Sequence, residues 1–162
     1  MGNKNRSKDV EREAANGLQT VTREDWQRVP QSGATATQHN TDSHVFNGDV
    51  FNERTYNDIC VEVKKMKNMK ASHVWEPTKR IKDHIRQARD ESDEKYLLLM
   101  KINYQGWFMY VDPDSYHSDQ HNNYTELVET LKTQIDNAVI VNVDGHPYRL
   151  YYIKDFKKRE EE

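Results

Sequence analysis

Little in this chain can staple, kink or cross a membrane. Its 162 residues include one cysteine, four prolines and six glycines. A single thiol excludes an internal disulfide and fits a reducing compartment. Cys60, set in an apolar strand, reads as a buried, inert thiol rather than a nucleophile. No run approaches the ~18 consecutive apolar residues that a spanning helix needs. No charged-then-apolar leader opens the sequence, so a soluble cytoplasmic protein (host cytoplasm if viral) with no membrane partner is expected. Gly2 follows Met1, but Arg6 stands where a myristoylation signal requires Ser or Thr. A Gly-rich phosphate loop, a serine triad and a zinc-type Cys/His cluster are all lacking, which removes three common chemistries. His117 and His121 lie in a polar linker and read as solvent-facing.

What is present is charge. Charged residues make up 31% of the chain and hydrophobic ones 35%, enough for one core with much solvated surface. The net charge is −3, yet its distribution is uneven. From Lys64 to Arg89 there are nine Lys or Arg residues against two acids, Glu76 and Asp83, while Glu160-Glu161-Glu162 closes the chain. Basic charge is thus concentrated where a nucleic-acid backbone could be met.

Periodicity gives the order of elements. Val10, Ala14 and Leu18 predict a helix over ~5–17, with Glu11 inside the apolar arc and Arg12 and Glu13 outside it. Residues 23–29 read as a strand ended by Pro30, and 31–48 as a polar inserted loop or hairpin. Strands follow at 48–52 and 57–64, antiparallel to each other. In the second, Ile59, Val61 and Val63 share one face while Cys60, Glu62 and Lys64 share the other. A helix over ~76–92 turns Ile81, Ile85 and Ala88 inward. The same helix carries Lys79, Lys82, Arg86 and Arg89 as a basic stripe. Tyr96–Met100 reads as a strand covered on both faces, followed by Lys101 and a turn into Trp107–Val111. Beyond Pro113 come a polar linker, a helix at ~124–136 and a hairpin, 139–143 and 148–153, turned by Asp144-Gly145.

Two short motifs carry chemistry. Gly48-Asp49-Val50 is followed, twelve residues after Asp49, by Val61-Glu62-Val63-Lys64. Carboxylates and an ammonium at the ends of neighbouring strands can hold a divalent metal against a phosphodiester. Either motif alone matches by accident in many proteins. Their order is more telling: Glu11-Arg12 on the first helix, Arg28, Ser32-Gly33, Asp49, then Ile59 to Lys64. A basic helix with Gln87-Ala88, Lys101 and Gly106-Trp107 follow.

In this order the chain resembles the PD-(D/E)xK nucleases, and within them the Holliday junction resolvases of archaea and phages, over about residues 4–112. The resemblance implies an α/β (α+β) fold: a central mixed sheet flanked by helices, a restriction-endonuclease-like core. Residues 1–112 would form that core, with 113–162 a helix-plus-hairpin extension packed on it. It also implies an Mg²⁺-dependent endonuclease, with Mn²⁺ able to substitute, acting in DNA recombination or repair. Asp49, Glu62, the Val63 carbonyl and Glu11 would be metal ligands, and Lys64 would join Glu11, Asp49 and Glu62 as catalytic. Arg12, Arg28, Ser32, Lys79, Lys82, Arg86, Arg89 and Lys101 would contact DNA. A homodimer is implied, because symmetric cutting of a junction needs two active sites. The segment between Ser32 and Asp49 is longer than in that group, and the extension has no counterpart in its minimal pattern. Two alternatives stay open: a sequence-specific or nicking nuclease of the same fold, and a non-catalytic DNA-binding module.

Overall fold

The stripe begun by Val10 and Ala14 continues through Leu18 and Val21, all buried, so the first helix runs on as α1, Gly2–Thr22, past the expected end. Arg23 stops it with a left-handed φ of 63°, and the Thr22 hydroxyl accepts hydrogen bonds from the Glu24 N–H and the Trp26 indole N–H. The turn uses residues expected in a strand, and only β1, Gln27–Arg28, remains. β2, Val50–Phe51, pairs with β1 and with β3, Cys60–Met66, antiparallel to both. Buried Asn52 organises the connection to β3: its carboxamide oxygen accepts from the Arg54 and Tyr56 N–H groups, and its nitrogen donates to the Asp25 carbonyl. That folded turn delays β3 to Cys60.

The computed structural model describes residues 2–29, 48–66, 79–91, 95–102, 105–135 and 137–156. The stretch 30–47, with Pro30, Ser32 and Gly33, lies outside the described residues. So do the expected beginning and end of the second helix (76–78 and 92) and residues 103–104 of the expected turn.

The other elements are α2 (Lys79–Glu91), β4 (Tyr96–Ile102), β5 (Gly106–Val111), α3 (Asn123–Lys132), β6 (Asn137–Val143) and β7 (His146–Ile153). One seven-stranded sheet has the order β1-β2-β3-β4-β5-β7-β6. Its one parallel pair, β3 with β4, is the pair joined across α2; the others are antiparallel. The fold is therefore α+β with a mixed sheet, consistent with a restriction-endonuclease-like core.

Alternation along β3 and β4 splits the interior into two layers. Val61, Val63, Leu97 and Leu99 pack with α1 and α3, including Leu18, Leu127 and Leu131. Cys60, Met66, Leu98 and Met100 pack with Ile81, Ile85 and Ala88 of α2. Both faces of β4 are buried, which accounts for its unbroken apolar run. Asn122 caps α3, its side chain accepting from the Thr125 N–H at 2.7 Å. β7 pairs with β5, so the terminal hairpin continues the sheet. Its turn, Asp144-Gly145, has φ of 53° and 83°. No helix among the described residues is long and apolar enough to cross a membrane.

Candidate active site

Asp49 lies just before β2 and is held there by backbone on three sides. Gly48 reaches it with φ +83°, and a Cβ at position 48 would come within 2.6 Å of the Val61 carbonyl oxygen. The Asp49 N–H donates to that carbonyl at 2.8 Å, and the Asp49 carbonyl accepts from the Val29 N–H at 2.9 Å. Its carboxylate Oδ2 accepts from the Val63 N–H at 2.8 Å, while Oδ1 has no hydrogen-bond partner among the described residues. Burial pushes this carboxyl above its ordinary range, opposed by the Val63 N–H and the Lys64 charge.

Glu11 approaches from α1. Its Oε2 accepts from Arg28 Nε at 3.0 Å, and both side chains are mostly buried. Burial raises the Glu11 carboxyl; the Arg28 bond opposes this, and the nearby Asp49 charge adds to the rise. Arg28 Nη2 is buried with no hydrogen-bond partner among the described residues. Such an orphaned donor suits an anion arriving from outside, because leaving it unpaired is costly.

Glu62 and Lys64 share the α2-facing side of β3, with Lys64 Nζ 3.9 Å from Glu62 Oε2. Lys64 is therefore the link between the two predicted carboxylates, since its charge also acts on Asp49. Glu11, Arg28, Asp49, Val63 and Lys64 are linked in turn beside the middle of β3, by the Arg28–Glu11 and Val63–Asp49 bonds and by the charges of Glu11 and Lys64 acting with Asp49, with Glu62 beside Lys64. Among the described residues no three His, Cys, Asp or Glu side chains form a metal cage. The donor types still suit Mg²⁺: carboxylate oxygens, a backbone carbonyl and two like-charged acids that a cation would relieve.

The expected DNA contacts divide between the two faces. Arg12 is exposed and pairs with Asp9, while Lys101 pairs with Glu13 of α1 and lies 5.6 Å from the Trp107 ring centroid. On the other side Lys79 is exposed and Lys82 half-buried. Arg86 and Arg89 both bind Asp144 in the β6–β7 turn, at 3.1 and 3.2 Å. Arg86 also pairs with Asp83, and Arg89 with Asp90 and the Tyr148 hydroxyl. These two guanidinium groups tie α2 to the hairpin rather than standing as open cations. Ser32 lies outside the described residues. Periodicity does not single out His84, which sits on the flank of α2 near Lys64. Its spacing from Ile81 and Ala88 was the signal available.

A family model described as "Phage putative PDDEXK endonuclease" matches residues 2–159. No curated protein and no solved structure matches the chain.

Proposed function

The chain belongs to the phage PD-(D/E)xK endonuclease family, and from that membership we propose an Mg²⁺-dependent endodeoxyribonuclease whose preferred substrate is a four-way DNA junction. The observation that carries the nuclease reading is Asp49, locked by the Val63 N–H at 2.8 Å, its other oxygen without a partner among the described residues, and within reach of the charges of Glu11 and Lys64. The junction preference rests on the ordered resemblance from Glu11-Arg12 to Gly106-Trp107. Cutting a junction symmetrically takes two such sites, so the working form is a homodimer.

Asp49, Glu62, the Val63 carbonyl and Glu11 would hold Mg²⁺, with Mn²⁺ an acceptable substitute. When bound, the ion supplies Lewis acidity and lowers the pKa of the attacking water. The remaining work belongs to the chain. Lys64, steadied by Glu62, orients that water and offsets charge growing on the phosphate. Arg28 presents Nη2, which has no partner among the described residues, to the backbone phosphate near the cut. Lys79 and Lys82 add charge that positions a DNA arm without reading bases.

The test is a synthetic four-way junction against a linear duplex of the same sequence, each with and without Mg²⁺. Paired nicks on the junction alone are expected, lost in Glu62→Ala. Equal cutting of both substrates would remove the junction preference and leave the nuclease. DNA binding indifferent to Mg²⁺ and to Glu62→Ala, without cleavage, would favour a non-catalytic module.

A further inference from the structure

Between the sheet and α2 lies an apolar layer with a polar interruption. Along β3 the side chains facing α2 run Cys60, Glu62, Lys64 and Met66; the two ends are buried and the middle pair is not. On the helix, Ile81, Ile85 and Ala88 are buried against that layer. His84 lies one turn from Ile81 and one turn from Ala88, so it occupies the inner flank beside the same gap. It is half-buried, and no hydrogen bond to either ring nitrogen is found among the described residues. Neither ring nitrogen is among the buried, unpartnered side-chain atoms of the described residues, so both stay within reach of solvent and of a ligand arriving beside Lys64.

Resting on the nuclease reading above, we propose that His84 is a further active-site residue, its imidazole N–H donating a hydrogen bond to a non-bridging phosphate oxygen of the DNA strand held at Lys64. Burial, then the charges of Lys64 and Arg80, push the ring's pKa down against the pull of Asp83. The imidazole is therefore neutral near pH 7, one nitrogen a donor and the other an acceptor. A neutral donor suits this place. It adds a directed bond to a phosphate already facing Lys64 without bringing a second cation against that ammonium.

Two variants separate donation from packing. His84→Met keeps bulk and helix propensity without a donor, and His84→Gln restores a donor on a similar chain. Junction cleavage in Mg²⁺ is measured for each, alongside thermal melting. The expected result is a loss of about tenfold or more in His84→Met, at the low end for one transition-state donor. The loss falls mainly on kcat, with melting unchanged and most activity recovered in His84→Gln. Wild-type rates in His84→Met, or a His84→Gln no better than His84→Met, would overturn the assignment while the nuclease stands. A wild-type chain inert toward every DNA offered would sink both.

Discussion

Folding makes the Asp49 carboxyl harder to ionise, and that is a poor arrangement for stability alone. Its pKa is raised above 3.8 chiefly by burial, so the folded chain holds the proton more tightly than the unfolded one. The free protein therefore loses stability as pH rises from the ordinary carboxylate range through the raised value, and keeps that deficit above it. Asp49→Asn retains an acceptor for the Val63 N–H and removes the charge. At pH 7 and without divalent ions, this variant should melt at or above the wild-type temperature, the two converging as pH falls to about 4. Added Mg²⁺ should raise the wild-type midpoint and leave Asp49→Asn unmoved, while cleavage drops by roughly a hundredfold or more. Thermal melts across pH, with and without the ion, check all of this; a variant markedly less stable at neutral pH would make Asp49 a structural residue. Asp49, Glu62 and Lys64 were legible as candidates from their order in the chain. The Glu11–Arg28 pair was not, since it depends on where α1 ends and β1 begins.

At the scale of elements, a short strand and one glycine set the position of the acid. β2 has only Val50–Phe51, and the chain before it is fixed by the Asp49 backbone bonds to Val61 and Val29, an approach that Gly48 makes possible. An alanine there would have to hold φ near +83° with its Cβ 2.6 Å from the Val61 oxygen. Gly48→Ala should lower stability by about 1–3 kcal/mol and displace Asp49 from the Val63 N–H. Activity should then fall further than the loss of folded protein explains, read as cleavage per folded molecule after denaturant titration. An active, stable Gly48→Ala would show that this approach is adaptable. The alternation of β3 and the double burial of β4 were readable because period-2 patterning records which face is covered. The fate of Arg86 and Arg89 was not. Their spacing marks a stripe on α2, but their partner Asp144 belongs to a turn far along the chain.

For the whole molecule, composition marks a break after Pro113, where a polar stretch leads into α3 and the hairpin. No local pattern records that β7 pairs with β5, because strand order is set by contacts distant in sequence. Those contacts bear on stability. Val141, Val143, Tyr148, Leu150, Tyr151 and Ile153 of the hairpin are all buried, and Tyr124, Leu127, Val128 and Leu131 of α3 cover the α1 layer. Each fully buried large apolar side chain contributes about 1.5–3 kcal/mol. Removing them strips one cover from the α1 layer and uncovers Trp107 and Phe108 on β5. A chain ending at residue 112 should therefore show no cooperative melting transition by circular dichroism and no Mg²⁺-dependent cleavage, although every proposed catalytic side chain is still present. The clamp of Asp144 on Arg86 and Arg89 adds a local reason, since α2, which carries His84, would keep its apolar contacts with β3 and β4 but lose its polar tie to the hairpin. If the shortened chain melted cooperatively and cut DNA, residues 113–162 would be dispensable for the core. The second layer of packing would then have to be rebuilt from β1–β5 alone.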